Sequence, residues 1–343
     1  MKRLMQHALF WPATTLVLLI VVSAVFNASF LHIAWHDGHL YGNLIDILNR
    51  AAPLMVVSLG MTLVIAVRGL DISVGAVVAI AATVAALMIG GSFNAGGAVT
   101  SEHPLWLALG TALLVAAACG LWNGLLVVKA GMQPIVATLI LMVAGRGIAQ
   151  LLTGGQIITV YYTPFFRLGN GFLLGVPLAL WIAAALWGAL HLALSRTALG
   201  LFIRAIGGNP EAARVAGVRS SSITLCVYTF CGLAAGVAGL IISSNVKSAD
   251  ANNAGQLLEL DAILAVTLGG TALTGGKFTL AGTVLGALII QTLTSMIYSL
   301  GVPPEVNLVV KALLVFAVML LQSAEFRALM IPARRRIHST GKP

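Results

Sequence analysis

Few side chains in this sequence could do chemistry, and the densest group of them lies in one short segment, Arg204–Gly217, RAIGGNPEAARVAG. The order of its residues is typical of a capped helix. Asn209 can accept hydrogen bonds from the first free backbone N–H groups, and Pro210 suits the first helical position. Gly217 can adopt the left-handed conformation that ends a helix. A helix of barely two turns is not stable alone in water, so something else must hold it.

The ionisable residues of this segment complement the helix dipole. Glu211 lies in the first turn, where an anion is favoured, and Arg214 lies in the last turn, where a cation is favoured. Ala212 and Ala213 are small, and we expect them to leave room for a partner surface beside an outward-facing Glu211. The segment therefore has the features of a docking element for another protein.

Residues for catalysis, metal binding or redox chemistry are scarce. One polar loop has a helix-like spacing that could hold zinc, but a single short loop is weak evidence, and no metal is expected: His32, His36 and His39, with Asp37. The cysteines lie in apolar runs and are interpreted as packing residues: Cys119, Cys226 and Cys231. The sequence Gly275-Gly276-Lys277-Phe278 lacks the spacing and the hydroxyl of a phosphate-binding loop. We therefore expect no enzyme, no cofactor and no ATP hydrolysis by that route.

Composition indicates which elements must position these residues. Hydrophobic residues make up 59% of the chain and charged residues 8%, whereas soluble domains have roughly 25% charged residues. A membrane span needs about 20 apolar residues. Five charge-free runs have this length: Phe10–Leu31, Leu105–Val128, Phe172–Leu194, Ser220–Val246 and Phe278–Pro304. Five shorter runs are Ala51–Val67, Ile72–Gly90, Gln133–Gly145, Ala262–Leu273 and Ala312–Ala324.

We therefore predict an all-α, polytopic membrane protein with about ten transmembrane helices, some short or broken, in one domain over residues 1–343. A polar helix between two such spans is typical of an energised transporter. Two similar stretches, Leu59–Gly91 and Leu264–Ile290, each contain a Gly-rich polar break. Two inverted five-helix repeats would place the substrate site at their interface, but the internal similarity is weak and the sequence leaves the repeat open. Small-residue pairs favour close packing within one subunit over dimerisation: Gly120/Gly124, Gly232/Gly236 and Gly282/Gly286.

The net charge of +9 follows from topology and does not indicate nucleic-acid binding. If the N-terminus is cytoplasmic and the spans alternate, 14 of the 19 basic residues lie on the cytoplasmic side: Lys2, Arg3, Arg68, Lys129, Arg196, Arg204, Arg214, Arg219, Lys277, Arg327, Arg334, Arg335, Arg336 and Lys342. This is the positive-inside bias. It places both termini and the loop 195–220 in the cytoplasm. The basic tail 327–343 is interpreted as a solvated anchor beside anionic membrane lipid.

Four sequence blocks, in order, resemble the ribose/xylose/galactose-type permease family of bacterial ABC sugar importers: RGLDISVG (Arg68–Gly75), Asn123–Gln156, Thr197–Val218 and Leu260–Ile289. Within the family, Ile47–Pro53 and Ala249–Val266 are most similar to galactofuranose-transporter permeases. The chain departs from the family pattern in two places. Pro134-Ile135 replaces a Pro-Phe pair, and Arg68-Gly69 replaces a Gly-Gly pair. The second change puts a cation where it could pair with Asp71 as an i, i+3 neighbour.

The resemblance implies a subunit in the bacterial inner membrane that imports galactofuranose or a related pentose or hexose. It implies three partners: a cytoplasmic ABC ATPase, a second permease that is the same or related, and a periplasmic sugar-binding protein. The ATPase would dock on the short polar helix, through Gly207, Asn209, Pro210, Glu211, Ala212, Ala213, Arg214 and Gly217.

Five other polar residues are candidates for the pathway or its gating. Asp71 is a carboxylate between spans, which is by default a functional hypothesis, although a helix cap together with Ser73 is favoured. Arg146, with Gln150 at i+4, could bind sugar or satisfy free carbonyl groups at a broken helix, and the second is slightly favoured. Asn123 flanks a cytoplasmic turn, where packing is favoured over recognition.

Four charged residues near the outer face are weaker candidates for contact with the binding protein: Glu259, Asp261, Glu305 and Lys311. Two other classes of protein remain as alternatives. An ion-coupled secondary transporter of a small polar solute would need buried carboxylates or histidines at the midplane, and the predicted spans are nearly empty of them. A membrane enzyme would need a nucleophile and base or a metal cluster, and none falls in a span.

Overall fold

The computed structural model describes residues 9–26, 29–36, 38–90, 92–93, 99–301 and 303–322. The predicted tail 327–343 and Asp37 lie outside these residues. The helices of the first part are α1 (Phe10–Phe26), α2 (Asn43–Ala66), α3 (Val74–Ile89), α4 (Leu105–Val128), α5 (Pro134–Thr153), α6 (Thr163–Asn170) and α7 (Leu178–Arg196). Those of the second part are α8 (Leu199–Gly208), α9 (Pro210–Val215), α10 (Ser220–Val246), α11 (Leu258–Leu268), α12 (Leu280–Ser299) and α13 (Pro304–Gln322).

The strands of the described residues form short antiparallel ladders in the loops. The strands are β1 (Ala34–His36), β2 (His39–Tyr41), β3 (Ser92–Phe93), β4 (Val99–Thr100), β5 (Ile158–Thr159), β6 (Phe172–Leu173), β7 (Val176–Pro177) and β8 (Ser248–Ala249). They pair as β1–β2, β3–β4, β5–β8 and β6–β7. In the β5–β8 ladder Ile158 pairs with Ala249, which ties the loop after α5 to the loop after α10. The fold is therefore essentially all-α, as predicted.

Within the described residues, six helices are long and apolar enough to cross a membrane: α2, α4, α5, α7, α10 and α12. The helices α1 and α3 are apolar but shorter. Each of the ten predicted runs overlaps one helix of the structure. The prediction of a polytopic, all-α membrane protein is thereby confirmed, while the figure of ten crossings stays a prediction.

Two apolar runs that stop at a charged residue lie within longer helices. The run that stopped before Arg146 continues as α5 to Thr153, and the run that began after Lys311 starts earlier, at Pro304. Lys311 is tolerated because its ammonium group lies 2.6 Å from the Asp261 carboxylate. The first residues of the run from Phe172 form the β6–β7 hairpin, and the helix begins only at Leu178.

The centre of the bundle is α2, which is the most deeply buried of the six long helices and packs against α7, α10, α11 and α12. Close approach between helices depends on the predicted glycine pairs. A Cβ atom on Gly232 of α10 would lie 2.8 Å from the Cα atom of Gly120 on α4. Gly286 of α12 lies in the same way against the Ala265 backbone of α11. Such contacts need residues without side chains, so the prediction of packing within one subunit is confirmed.

The two predicted Gly-rich breaks lie between α2 and α3 and between α11 and α12. The two helix-break-helix units contact each other directly, since the hydroxyl oxygens of Thr62 and Thr283 are 2.7 Å apart. The first break begins with Arg68, whose backbone has a left-handed φ of 64°. Both breaks lie beside the short polar helix α9 and its neighbour α8, which is where the candidate site begins.

Candidate functional site

The short polar helix is capped as predicted. The side-chain oxygen of Asn209 accepts hydrogen bonds from the backbone N–H groups of Glu211 and Ala212, each at 3.1 Å. Pro210 is the first residue of α9, and Gly217 has a φ of 83° just beyond its end. The preceding residues from Leu199 belong to a separate helix, α8, so the polar segment consists of two helices that meet at Asn209.

One face of α9 is exposed, and the opposite face is packed. Glu211 forms an ion pair with Arg214 at 3.0 Å, and both side chains are mostly exposed. Ala212 is exposed, but Ala213 is buried. The expectation that both alanines face a partner was therefore wrong for Ala213, because that side of the helix packs on its own chain. Val215, which sequence reasoning missed, is 82% exposed and adds an apolar contact to the free face.

The helix before α9 is fixed to the transmembrane core by backbone contacts and by one arginine. Gly207 lies against the Ala66 carbonyl and the Gly276 amide, and that amide donates to the same carbonyl at 2.9 Å. The guanidinium group of Arg68 donates to the carbonyl of Gly207 at 2.7 Å and also to the carbonyl of Gly208. The end of α2, the end of α8 and the second break therefore meet at one junction.

Arg68 does not pair with Asp71, and the expected i, i+3 ion pair was wrong. The last carbonyl groups of a helix have no partner within the helix and carry partial negative charge, so they attract a cation. Here those carbonyls belong to α8, which is distant in sequence and could not be identified as the partner. A second cation in this region, Arg204, lies over the ring of Phe278 at 5.3 Å from its centre, an arrangement that favours attraction to the ring face.

Asp71, Ser73 and Asn123 form one buried network. One carboxylate oxygen of Asp71 accepts from the Ser73 backbone N–H at 3.0 Å and from the Ser73 hydroxyl at 2.6 Å. The Asn123 amide donates to the Ser73 hydroxyl at 2.8 Å and lies 3.4 Å from the carboxylate. All three residues are almost inaccessible to solvent. This geometry agrees only in part with the favoured cap, because Ser73 directly precedes α3 but its side chain makes no capping hydrogen bond to that helix.

Two further hydroxyl groups contact the backbone of the break between α2 and α3, and sequence reasoning missed them. The Tyr228 hydroxyl lies 3.4 Å from the Leu70 carbonyl, and the Thr138 hydroxyl accepts from the Ile72 N–H at 3.3 Å. Both hydroxyls come from long apolar helices, α10 and α5. The only sequence signal was a polar atom within an apolar run, which does not say what it contacts.

Arg146 and Gln150 form a second, separate cluster. The Arg146 guanidinium donates to the carbonyls of Ala251 at 3.1 Å and Ala254 at 2.6 Å. The Gln150 amide donates to the Asn252 side-chain oxygen at 2.6 Å. The free carbonyls that Arg146 satisfies lie in the loop before α11, so the favoured interpretation was right about the chemistry. The two clusters are not joined by any hydrogen bond among the described residues.

Asp250 begins this loop and organises its first turn. Its carboxylate accepts from the Asn253 side chain at 2.7 Å and from the backbone N–H groups of Asn252 and Asn253. The hydrogen bond from the Asn253 side chain has the largest effect on the Asp250 carboxylate, and together with the backbone hydrogen bonds it holds the pKa of Asp250 below its ordinary value. A depressed folded pKa gives stability that is present above the unfolded pKa and is lost as pH falls through the folded pKa. The turn should therefore stay ordered in mild acid.

The charged residues that were proposed to contact the binding protein at the outer face have different environments. Glu259 is buried beside Gly75, and one of its carboxylate oxygens has no hydrogen-bond partner, so contact with a binding protein is wrong for this residue. Asp261 and Lys311 are occupied with each other. The side chain of Glu305 is not described. Among the described residues no group of three metal-ligating side chains occurs. The zinc hypothesis also includes Asp37, which lies outside the described residues.

Helices of membrane-spanning length around a buried α2, with an exposed capped helix anchored at one end, define a multi-pass membrane transport subunit. A family model described as branched-chain amino acid transport system / permease component matches residues 43–319. The chain belongs to this family of ABC transporter permease components. It is accordingly a transport subunit and not itself an enzyme.

Individual relatives are similar along nearly the whole chain. The chain is 46% identical over 332 residues to the galactofuranose transporter permease protein YtfT of Escherichia coli, covering 95% of this chain and 94% of that protein. It is 36% identical to the fructose import permease protein FruF of Bifidobacterium longum, with 98% and 93% covered. It is 33% identical to the ribose import permease protein RbsC of Haemophilus influenzae, with 89% and 90% covered. No solved structure matches the chain.

Proposed function

We propose that this chain forms the translocation pathway of an ABC importer for a monosaccharide, namely galactofuranose or a related pentose or hexose. The observation that carries the proposal is the 46% identity to a galactofuranose transporter permease over 95% of the chain. Relatives named for fructose and ribose import support the wider class of substrate. The test is uptake of labelled galactofuranose, ribose and fructose by a strain in which this gene is deleted. Loss of galactofuranose uptake alone is expected, and unchanged uptake of all three sugars would refute the proposal.

The partner that supplies energy is a cytoplasmic ABC ATPase, and α9 is its docking element. The free face of α9 supports this, because Asn209, Glu211 and Val215 are exposed on a helix that is otherwise fixed to its own chain. Beside α9 lies a groove of about 630 Å³ whose lining includes Leu199 and Phe202. A second permease subunit, the same or related, and a periplasmic sugar-binding protein complete the assembly.

The junction of α2, α8 and the second break suggests how docking of the ATPase on α9 is transmitted to the pathway. Arg68 holds the end of α8 immediately before α9. Three residues further along the same break, Asp71 belongs to the buried network with Ser73 and Asn123. Movement of α9 would therefore pull on the turn that starts α3. That network, together with the loop held by Arg146 and Gln150, gates the pathway.

We also propose that the chain lies in the bacterial inner membrane with both termini and α9 in the cytoplasm. The helix α10 separates Ser221, beside α9, from the loop that contains Asn252, and its 27 residues span about 40 Å. Single cysteines at Ser221 and Asn252 should react with an impermeant thiol reagent from opposite sides. The native Cys226 is exposed and is replaced by serine in both variants. Labelling of both positions from outside would contradict the topology.

A further inference from the structure

Two polar helix faces meet at the end of the bundle opposite to α9. On α2 the residues Asp46, Asn49 and Arg50 follow one another at i, i+3 and i+4, and on α12 Gln291 and Tyr298 are two turns apart. Residues with this spacing share one side of a helix. The end of α2 contacts the α8–α9 junction, and about 20 residues of helix, roughly 30 Å, separate that junction from Asp46. The polar faces are therefore about one bilayer thickness away from the docking element.

A cavity lies between these faces. Two adjoining cavities of about 460 Å³ each share Asp46, Arg50, Gln291 and Tyr298 in their walls, and Asn49 lines one of them. We call this space the polar vestibule. The volume of each of the two cavities falls within the range of roughly 300–1,000 Å³ that is typical of small-molecule sites. Asp46 and Arg50 are exposed at this end of the bundle, whereas Asn49 and Gln291 are partly buried, so polar groups line both the mouth and the interior of the vestibule.

The polar groups of the vestibule are not used up by contacts within the chain. Asp46 and Arg50 are one helical turn apart, yet no ion pair joins them among the described residues. The Asn49 amide nitrogen donates to the Gly169 carbonyl at 3.3 Å, but its oxygen is buried without a partner. A buried acceptor without a partner is unfavourable, and a bound hydroxyl group would satisfy this one only if the side chains around Asn49 move apart.

The mixture of groups selects a class of ligand. A carboxylate and a guanidinium side by side disfavour both a free anion and a free cation. A hydroxyl group is at once donor and acceptor, so a neutral polyhydroxylated molecule could satisfy Asp46, Asn49, Arg50 and Gln291 together. Tyr298 and the buried Phe30 add aromatic surface to the same walls, against which the apolar face of a sugar ring can lie.

We propose that the polar vestibule binds a neutral monosaccharide on the side of the permease opposite to the ATPase-docking helix. This inference rests on the proposed function, which it extends by assigning the residues that first receive the sugar. Binding there is weak, because the site is open and each hydrogen bond contributes little net free energy.

The test uses the full chain in lipid nanodiscs without glycolipid, with methyl galactofuranoside as the probe and saturation-transfer NMR as the readout. Gln291→Leu and Asn49→Leu should each weaken binding about tenfold, equivalent to roughly 1.4 kcal/mol. Tyr298→Phe removes only a hydroxyl group from an exposed residue, so it should fold normally and weaken binding by a smaller factor. Gln156→Leu is the matched control, because this glutamine lies exposed in the loop after α5, and it should bind like the wild type.

Sugar uptake separates this inference from the proposed function. In cells, Gln291→Leu and Tyr298→Phe should raise the KM for uptake several-fold while the amount of co-purified ATPase is unchanged. Wild-type binding and uptake in all vestibule variants would overturn the vestibule and leave the function standing. Absence of uptake by the wild-type transporter would instead overturn the function. Binding of octyl glucoside without binding of the free sugar would make the vestibule a lipid-headgroup site and overturn the proposal.

Discussion

Gly207→Ala is expected to reduce sugar uptake at least tenfold, whereas Gly208→Ala, one residue further on, should leave uptake within about twofold of wild type. A Cβ atom on Gly207 would collide with the backbone of Ala66 and Gly276, and backbone cannot rotate away. Overpacking of this kind costs typically 1–3 kcal/mol. The end of α8 would have to move away from α2, and the hydrogen bonds from Arg68 to this turn would break.

Gly208 is a close control because a Cβ atom there meets nothing within 4 Å. Both variants make the same chemical change in the same turn, so a general loss of helix stability would affect them alike. Uptake and the amount of permease in the membrane are measured together. Equal uptake by the two variants would show that contact at the α2–α8 junction does not matter for transport.

Glu211→Lys is expected to abolish uptake and weaken co-purification of the ATPase while the permease remains inserted at normal abundance. The exposed ion pair with Arg214 contributes little stability, so its loss does not endanger the fold. The reversed charge instead changes the free face of α9. Arg214→Ala breaks the same ion pair but keeps the Glu211 carboxylate, so its loss of uptake should be smaller than that of Glu211→Lys and separates the reversed charge from the broken pair.

Asn209→Ala examines the same helix without changing its charge. The loss of the two hydrogen bonds at the cap should cost about 1 kcal/mol of helix formation. In a helix of six residues this is a large part of its order, so uptake should fall several-fold. Normal uptake in both Asn209→Ala and Glu211→Lys would mean that α9 is not the coupling element.

The features that could be predicted from sequence depend on near neighbours. The cap at Asn209 and the stop at Gly217 involve residues within a few positions, and local geometry decides them. The all-α membrane architecture followed from composition, and the family followed from blocks such as Arg68–Gly75. The glycine pairs were also informative, because close helix packing leaves few choices of residue.

Features that could not be predicted depend on contacts between distant segments. Arg68 was expected to pair with Asp71, its neighbour in sequence, but its partners Gly207 and Gly208 are 139 and 140 positions away. Arg146 and Lys311 lie within helices, although no residue near them in sequence neutralises them. The structure supplies remote carbonyls for one and a carboxylate for the other, and the helices continue. The vestibule likewise needs α2 and α12 side by side.

We propose that this chain moves sugar with energy from an ATPase that acts through α9. The most direct measurement is accumulation of labelled galactofuranose by proteoliposomes that contain the permease, its ATPase and the sugar-binding protein. Accumulation should require hydrolysable ATP on the ATPase side, persist when ion gradients are collapsed, and disappear with Glu211→Lys. Accumulation driven by an ion gradient without ATP would instead identify the chain as a secondary transporter.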